Sequence, residues 1–121
     1  MHFTDNDPSF IRSIIEGQLI AFQNDDAEAA FAFASPAIQT QFKTPAMFMQ
    51  MVKTSYKPVY RPRSVIFEEM TIIEGFLTQL VLFLSTEGVP VRALYMMEKQ
   101  PDSSWKINGC FLVPVERNTL F

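Results

Sequence analysis

The spacing of apolar residues changes near residue 63 of the 121-residue chain. Before that point, apolar side chains recur every three or four positions, as they do on one face of an α-helix. The first series predicts a long amphipathic helix that begins at Asp7-Pro8, with Asp7 as the cap and the proline in the first turn. The residues predicted to form its inward face are Ile11, Ile14, Ile15, Gln18, Leu19 and Phe22.

Shorter helices are predicted after this one, because a polar capping residue precedes each new apolar series. Asp25 as a cap places Glu28 at the third helical position, which resembles a capping box. Ser35-Pro36 and Thr44-Pro45 each combine a capping hydroxyl with a proline in the first turn. The residues that the last helix would direct inward are Phe48, Met51, Val52 and Ser55.

Residues 56–63 interrupt the helical pattern. Pro58 and Pro62 have no backbone N–H and bias the residues before them toward extended conformations, so we predict neither a helix nor a central strand here. Beyond this segment, the alternating and continuous apolar stretches are typical of strands separated by glycine-containing turns. The strands are predicted at residues 64–71, 76–85 and 89–99, with one more after residue 104.

The last two strands are predicted to form a hairpin, because a Pro-Asp-Ser-Ser turn at residues 101–104 separates two apolar stretches. Trp105 begins the second strand, where its large ring can close one end of a core. Strict alternation would place Trp105, Ile107, Gly109, Phe111 and Val113 on one face. The opposite face would then carry Lys106, Asn108, Cys110 and Leu112.

Helices followed by a meander of about four antiparallel strands predict a single α+β domain over residues 1–121. Residues 76–84 are apolar on both faces of their strand, so both faces need cover. Helices can cover one face, and the sheet of a second subunit is a natural cover for the other. We therefore expect a homodimer that forms through the sheet.

Composition and charge exclude several classes of protein. The net charge of −3 argues against a nucleic-acid-binding surface, and no apolar stretch is long enough to cross a membrane as a helix. Cys110 is the only cysteine, which excludes an intrachain disulfide. Because the chain also begins with an acidic segment rather than a basic and apolar leader, we expect a cytoplasmic protein.

Several short segments, in their order and spacing between residues 8 and 115, are similar to a bacterial family known as domain of unknown function 4864. They are Gln18-Leu19, Ala21-Phe22, Ala34-Ser35-Pro36, Phe48, Met51-Val52, Tyr60-Arg61-Pro62 and Gly109-Cys110. More broadly, the chain resembles the nuclear transport factor 2-like superfamily. That resemblance implies a cone, in which N-terminal helices pack into a strongly curved antiparallel sheet, and the family resemblance implies no activity.

Enzymes of this superfamily place a carboxylate or histidine base in the cone. Each aspartate of this chain falls in a predicted cap or turn, and His2 lies near the N-terminus, so we expect no metal site and no cofactor. The strand carboxylates are Glu68, Glu69 and Glu98. An enzyme of the isomerase or cyclase type would use Tyr60 with Glu68 or Glu98.

A cluster of aromatic and basic residues is the candidate site for a small acidic ligand, since tyrosine and arginine donors can hold a carboxylate or phosphate. Its members are Tyr56, Tyr60, Arg61, Arg63 and, from a neighbouring strand, Arg92. The alternative is that the arginines pair with Glu68 or Glu98 and the tyrosines fill space. Cys110 lies among apolar residues and is interpreted as structural.

Three functions stay open on the sequence. The first is a non-catalytic cone domain that dimerises and binds a small apolar or acidic ligand. The second is the isomerase-like enzyme, and the third is an interaction module whose own phenylalanines fill the cone. An open cavity without a carboxylate would favour binding, an open cavity with a carboxylate would favour the enzyme, and a filled cavity would favour the third function.

Overall fold

The computed structural model describes residues 6–115 as helices followed by strands. The prediction for His2 lies outside the described residues. The long first helix is confirmed, and so is the series of short helices after it. The helices are α1 (Asp7–Gln23), α2 (Ala27–Ala32), α3 (Pro36–Phe42), α4 (Pro45–Ser55) and α5 (Lys57–Tyr60).

The helix starts follow the local capping chemistry, with two corrections. The hydroxyls of Ser35 and Thr44 accept hydrogen bonds from backbone N–H groups at 3.4 and 3.2 Å, as predicted. The cap of α2 is Asp26 rather than Asp25, because the Asp26 carboxylate accepts from the N–H of Ala29 at 3.1 Å. Asn6 rather than Asp7 occupies the cap position of α1, so Asp7 is already helical.

The prediction that residues 56–63 contain no helix is wrong, because α5 is a single helical turn. Pro58 lies in the first turn of α5, where backbone N–H groups have no partner within the helix. Proline therefore loses nothing there, and its fixed φ suits a helix start. The segment does act as the connection between the helices and the sheet, as the two prolines indicated.

The four strands form one antiparallel sheet in the order β1-β2-β3-β4, which does not close on itself. The α+β class and the meander are therefore confirmed. Glu74 and Gly75 both have positive φ in the turn between the first two strands, which suits a tight hairpin. The strands are β1 (Ser64–Ile73), β2 (Phe76–Leu84), β3 (Pro90–Lys99) and β4 (Trp105–Pro114).

A bulge in β4 overturns the predicted alternation of its faces. Met96 pairs with Gly109 and Met97 with Ile107, which leaves Asn108 as an extra residue in β4. From this point each side chain faces opposite to the prediction. Cys110 therefore packs against the core, while Phe111 is 55% exposed on the other face.

The core lies between the helices and one face of the sheet. The ring of Phe48 in α4 packs against three other phenylalanine rings, whose centroids lie 5.5 to 6.2 Å away. Trp105 is 2% exposed, so its predicted burial at the start of the last strand is confirmed. The other large side chains that are fully buried include Phe22, Phe83, Tyr95, Ile11, Ile15 and Met97.

The opposite face of the sheet, called the outer face below, carries a row of apolar side chains. Cross-strand partners share a face, and the pairs Ile66–Leu82, Leu80–Leu94 and Leu94–Phe111 all lie here. Ile66 is 54% exposed, whereas the leucines are half-buried. The outer face is defined by Ile66, Leu80, Leu82, Leu94, Phe111 and Val113, with Arg92 at its centre.

Candidate ligand-binding site

A cavity of about 510 Å³ lies between the helices and the end of the sheet formed by β3 and β4. Its wall is mainly aromatic and aliphatic, and among residues 6–115 no side chain that lines it carries a formal charge. Phenylalanine rings contribute to this wall but leave the volume open, so they do not fill the interior in the way the third interpretation requires. The apolar residues that line it include Phe22, Phe42, Phe48, Val52, Val59 and Ile107.

Two tyrosines and the cysteine form a polar cluster in this wall. The Tyr56 hydroxyl donates to the backbone carbonyl oxygen of Cys110 at 2.7 Å. The Tyr95 ring is 1% exposed, and its hydroxyl finds no hydrogen-bond partner of good geometry among the described residues. That hydroxyl interacts instead with the thiol of Cys110, which is a weak donor and a weak acceptor.

Burial keeps all three of these groups protonated. Desolvation raises the pKa of Tyr95 well above its ordinary value and raises the pKa of Tyr56 as well. Desolvation also raises the pKa of the Cys110 thiol to about 12. A reactive thiolate needs a lowered pKa, so the geometry supports the structural interpretation of Cys110.

The other buried polar side chain of the wall already has a structural role. The Gln18 amide donates to the carbonyl oxygen of Ala30 at 3.1 Å and so joins α1 to α2. Near the bulge, the hydroxyl of Ser35 donates to the Asn108 side-chain oxygen at 2.7 Å. Tyr95 is therefore the buried polar residue of the wall that is left without such a bond among residues 6–115.

Of the residues predicted to bind an acidic ligand, Tyr56 lines the cavity, whereas Tyr60 and Arg61 lie outside it. The Tyr60 hydroxyl donates to the Asp25 carboxylate, and Arg61 Nη2 lies 3.3 Å from the same group. The hydrogen bond from Tyr60 is the main cause of the lowered pKa of Asp25. Arg61 also donates to the carbonyl oxygen of Phe22 at 2.7 Å, so these side chains tie α5 to the end of α1.

Tyr60 and Arg61 border a separate depression of about 340 Å³ on the surface. Lys53 and Lys57 also line it, so it is rich in cations, although Glu87 lies in the same wall. Lys53 is 3.7 Å from Asp25 and shares that carboxylate with Arg61.

The remaining two predicted arginines line neither the cavity nor the surface depression. Arg63 is exposed, and its backbone N–H donates to the carbonyl oxygen of Leu84 at 2.7 Å. Arg92 lies on the outer face and binds both carboxylate oxygens of Glu68, at 2.6 and 3.1 Å. The structure therefore does not bring the five predicted ligand-binding residues together.

The carboxylates proposed for an enzyme have other partners. The hydrogen bond from Arg92 is the main cause of the lowered pKa of Glu68. Of the two carboxylates expected as partners of the arginines, Arg92 pairs with Glu68 and not with Glu98. Glu98 instead accepts from the Gln100 amide at 3.0 Å, because Arg92 reaches Glu68 across β2 on the same face of the sheet.

Tyr95 was not among the site residues predicted from the sequence, although it lines the cavity. The alternation of Ala93, Tyr95 and Met97 was a usable signal, since it places all three on the inward face of β3. Within residues 6–115 the Tyr95 hydroxyl has only the weak Cys110 thiol as a partner, and this could not be anticipated because it depends on the tertiary packing around the strand.

No helix within residues 6–115 is long and apolar enough to span a membrane. Within the same range, no three histidine, cysteine, aspartate or glutamate side chains come together as a metal site would need. No curated protein and no solved structure matches the chain. The resemblance to the nuclear transport factor 2-like superfamily therefore stays a prediction.

A family model does match, and it covers nearly all of the chain. The matched residues are 4–120, and the family is described as Domain of unknown function (DUF4864). The family resemblance inferred from the spacing of short segments is thereby confirmed. The chain belongs to the DUF4864 family.

Proposed function

We propose that this protein is a non-catalytic binding module whose cavity takes a small, mainly apolar molecule. The observation that carries this proposal is the open, uncharged cavity of about 510 Å³ beside the core. Sites for small molecules commonly have volumes of about 300–1,000 Å³ and an apolar lining with a few polar groups. The wall described above has this composition, and its polar residues include Tyr95, Tyr56 and Gln18.

The positions of the candidate acid–base groups favour binding over the isomerase-like alternative. Tyr60 is bonded to Asp25 on the helical side, whereas Glu68 lies on the outer face of the sheet. A general acid at neutral pH needs a raised carboxyl pKa, but the Arg92 guanidinium lowers the pKa of Glu68. The groups required for that enzyme therefore lie apart and away from the cavity.

A fluorescent probe tests cavity binding directly. We expect 1-aminoanthracene, a neutral and apolar dye, to bind saturably with one molecule per chain and to gain fluorescence. Ser55 is exposed and lines the cavity at the end of α4, so Ser55→Trp should block access and weaken binding about tenfold. The adjacent exposed residue does not line the cavity, so Thr54→Trp should leave binding unchanged. Absence of saturable binding to the wild type, or equal effects of the two variants, would overturn the proposal.

We also propose that two copies associate through their outer faces. An exposed apolar surface of this kind is typical of an interface, and the outer face contains Ile66 and Phe111, each more than half exposed. The pair of Arg92 and Glu68 lies in this face and is electrically balanced. A second copy can therefore approach without bringing a net charge onto the apolar surface.

Light scattering at micromolar concentration tests this association. The expected mass is that of a dimer, and Leu82→Glu should reduce it to that of a monomer because the new carboxylate would be buried in the interface. Ile20→Glu is the matched control, since Ile20 is exposed on α1 and away from the sheet. A monomer mass for the wild type would contradict dimer formation while leaving the cavity proposal intact.

The acidic ligand expected from the sequence has a second candidate site in the surface depression beside Tyr60. Lys53, Lys57 and Arg61 supply positive charge there, although Asp25 already engages two of these cations. We expect at most millimolar affinity for a small dianion such as succinate. Lys57→Gln should abolish NMR shifts caused by succinate, and Lys43→Gln on another surface should not. Equal shifts in both variants would indicate nonspecific association.

A further inference from the structure

We propose that the cavity selects uncharged ligands that carry an oxygen acceptor on an apolar body, and that the Tyr95 hydroxyl donates to this oxygen. This inference rests on the proposed function, because it names the class of molecule that the cavity takes. It is carried by two independent observations. One is the hydroxyl without a hydrogen-bond partner of good geometry, and the other is the absence of formal charge in the surrounding wall.

The unsatisfied state of Tyr95 is unusual for a buried hydroxyl. Buried polar side-chain atoms usually have a hydrogen-bond partner, because leaving one unpaired costs free energy. The thiol of Cys110 satisfies the Tyr95 hydroxyl only weakly. A carbonyl or hydroxyl oxygen of a ligand would replace this weak contact with a normal hydrogen bond. The new bond would then contribute to the free energy of ligand binding.

Two neighbouring polar groups already have hydrogen-bond partners within the protein, so Tyr95 is the group proposed to donate to the ligand oxygen. The Tyr56 hydroxyl donates a hydrogen bond to the backbone carbonyl oxygen of Cys110, and the Gln18 amide donates one to the carbonyl oxygen of Ala30. Because Tyr95 stays protonated at neutral pH, it can donate rather than repel an electron-rich oxygen. The hydroxyl itself has almost no accessible surface in the unliganded protein, so a ligand oxygen reaches it by displacing the Cys110 thiol that contacts it.

The uncharged wall argues against an anionic ligand. A carboxylate that entered the cavity would lose its hydration, and the part of the chain that the structure describes places no lysine, arginine or histidine in the wall to compensate for this loss. A neutral ketone or alcohol of the same size loses much less hydration. Selectivity for neutral over acidic ligands therefore follows from the wall, and selectivity for an oxygen acceptor follows from Tyr95.

Three naphthalene derivatives with the same number of heavy atoms separate these contributions. 2-Isopropylnaphthalene tests apolar binding alone, 2-acetylnaphthalene adds a neutral acceptor, and 2-naphthoate adds a charge. The titrations follow amide signals of Gly109 and Cys110, which line the cavity. We expect 2-naphthoate to bind at least tenfold more weakly than 2-acetylnaphthalene at neutral pH. Equal or tighter binding of 2-naphthoate would overturn the inference.

The variant Tyr95→Phe removes only the hydroxyl. It should weaken binding of 2-acetylnaphthalene about three- to tenfold, the range expected for one neutral hydrogen bond, and leave binding of 2-isopropylnaphthalene unchanged. The matched control is Thr78→Val, which removes a fully buried hydroxyl outside the cavity and should alter neither affinity. Equal effects of Tyr95→Phe on the two ligands would overturn the role of the hydroxyl.

A readout on the wild-type protein makes the test independent of the variants. The carbonyl stretching band of bound 2-acetylnaphthalene should shift to lower wavenumber than in an apolar solvent, because the ketone accepts a hydrogen bond. An unshifted band would overturn the inference. If 2-isopropylnaphthalene binds and the ketone shows no hydrogen bond, the proposed function stands and the inference fails. If none of the three ligands binds, the proposed function itself fails.

Discussion

The indole Nε1 of Trp105 donates to the Asp7 carboxylate oxygen Oδ1 at 3.1 Å, although 98 positions separate the two residues. Both side chains are about 2% exposed. Lys99 Nζ lies 3.7 Å from the other oxygen of the same carboxylate. The first turn of α1 is thereby joined to the hairpin of β3 and β4, and these elements contribute to the cavity. Asp7 therefore has a tertiary role beyond the local role expected for the aspartates.

Replacing Trp105 by alanine should lower the free energy of unfolding by about 3–5 kcal/mol, the usual range for removing a large core aromatic. The change also removes a donor from the buried Asp7 carboxylate. Urea denaturation monitored by circular dichroism measures the loss. Trp105→Phe is the comparison variant, and it should cost less because a ring still fills the space. A loss below about 1 kcal/mol for Trp105→Ala would contradict the assigned role.

Gly17 should resist substitution even though it lies in a helix. Alanine normally stabilises a helix interior by about 1 kcal/mol relative to glycine. Here, a Cβ at Gly17 would lie 2.7 Å from the Cζ atom of Phe33, so the ring would have to move. We expect Gly17→Ala to destabilise the protein by about 1 kcal/mol, as overpacking does. In a Phe33→Leu background, the same change should be neutral or stabilising. A stabilising effect in the wild type would contradict the close contact.

Removing the two tyrosine hydroxyls of the wall should have opposite effects on the unliganded protein. Tyr95→Phe should leave the free energy of unfolding unchanged or raise it by up to about 1 kcal/mol, because the lost hydroxyl has only a weak partner. Tyr56→Phe should lower it by about 1 kcal/mol, since it breaks the bond to the Cys110 carbonyl. Thermal and urea denaturation measure both. A marked loss for Tyr95→Phe would reveal a strong partner for its hydroxyl.

The pair of Glu68 and Arg92 predicts a small dependence of stability on pH. The folded-state pKa of Glu68 is lowered by the Arg92 hydrogen bond, so the pair stabilises the folded protein above the unfolded pKa of about 4.3. This contribution, no more than about 1 kcal/mol for such a pair, is lost as the pH falls through the lower folded value. NMR titration of Glu68 should show a higher pKa in Arg92→Gln than in the wild type. A wild-type pKa near neutrality would favour the enzyme instead.

Local chemistry explains why much of the fold could be predicted. Ser35 and Thr44 cap helices through bonds to residues three positions away, and the turn before Trp105 is equally local. The bulge at Asn108 could not be predicted from alternation, because it involves a bond from Ser35 on a distant segment. Because of this bulge, Cys110 faces the cavity and Phe111 lies on the outer face.

The candidate site was less predictable than the fold. The cluster of tyrosines and arginines was chosen for its residue types, but Arg61 and Tyr60 satisfy Asp25 through contacts that no spacing in the sequence indicates. Tyr56 lines the cavity because it directly follows α4. The cavity could not be predicted from the sequence, because its volume depends on how the helices pack against the sheet.

The position of a bound neutral ligand tests most sharply whether the cavity is the binding site. Nuclear Overhauser effects between 2-acetylnaphthalene and the isotope-labelled protein would locate it. We predict contacts from the naphthalene ring to Val52 and Ile107 and from the acetyl methyl group to the Tyr95 ring. Contacts confined to the surface depression or to the outer face would contradict it, as would the absence of any contact to the residues that line the cavity.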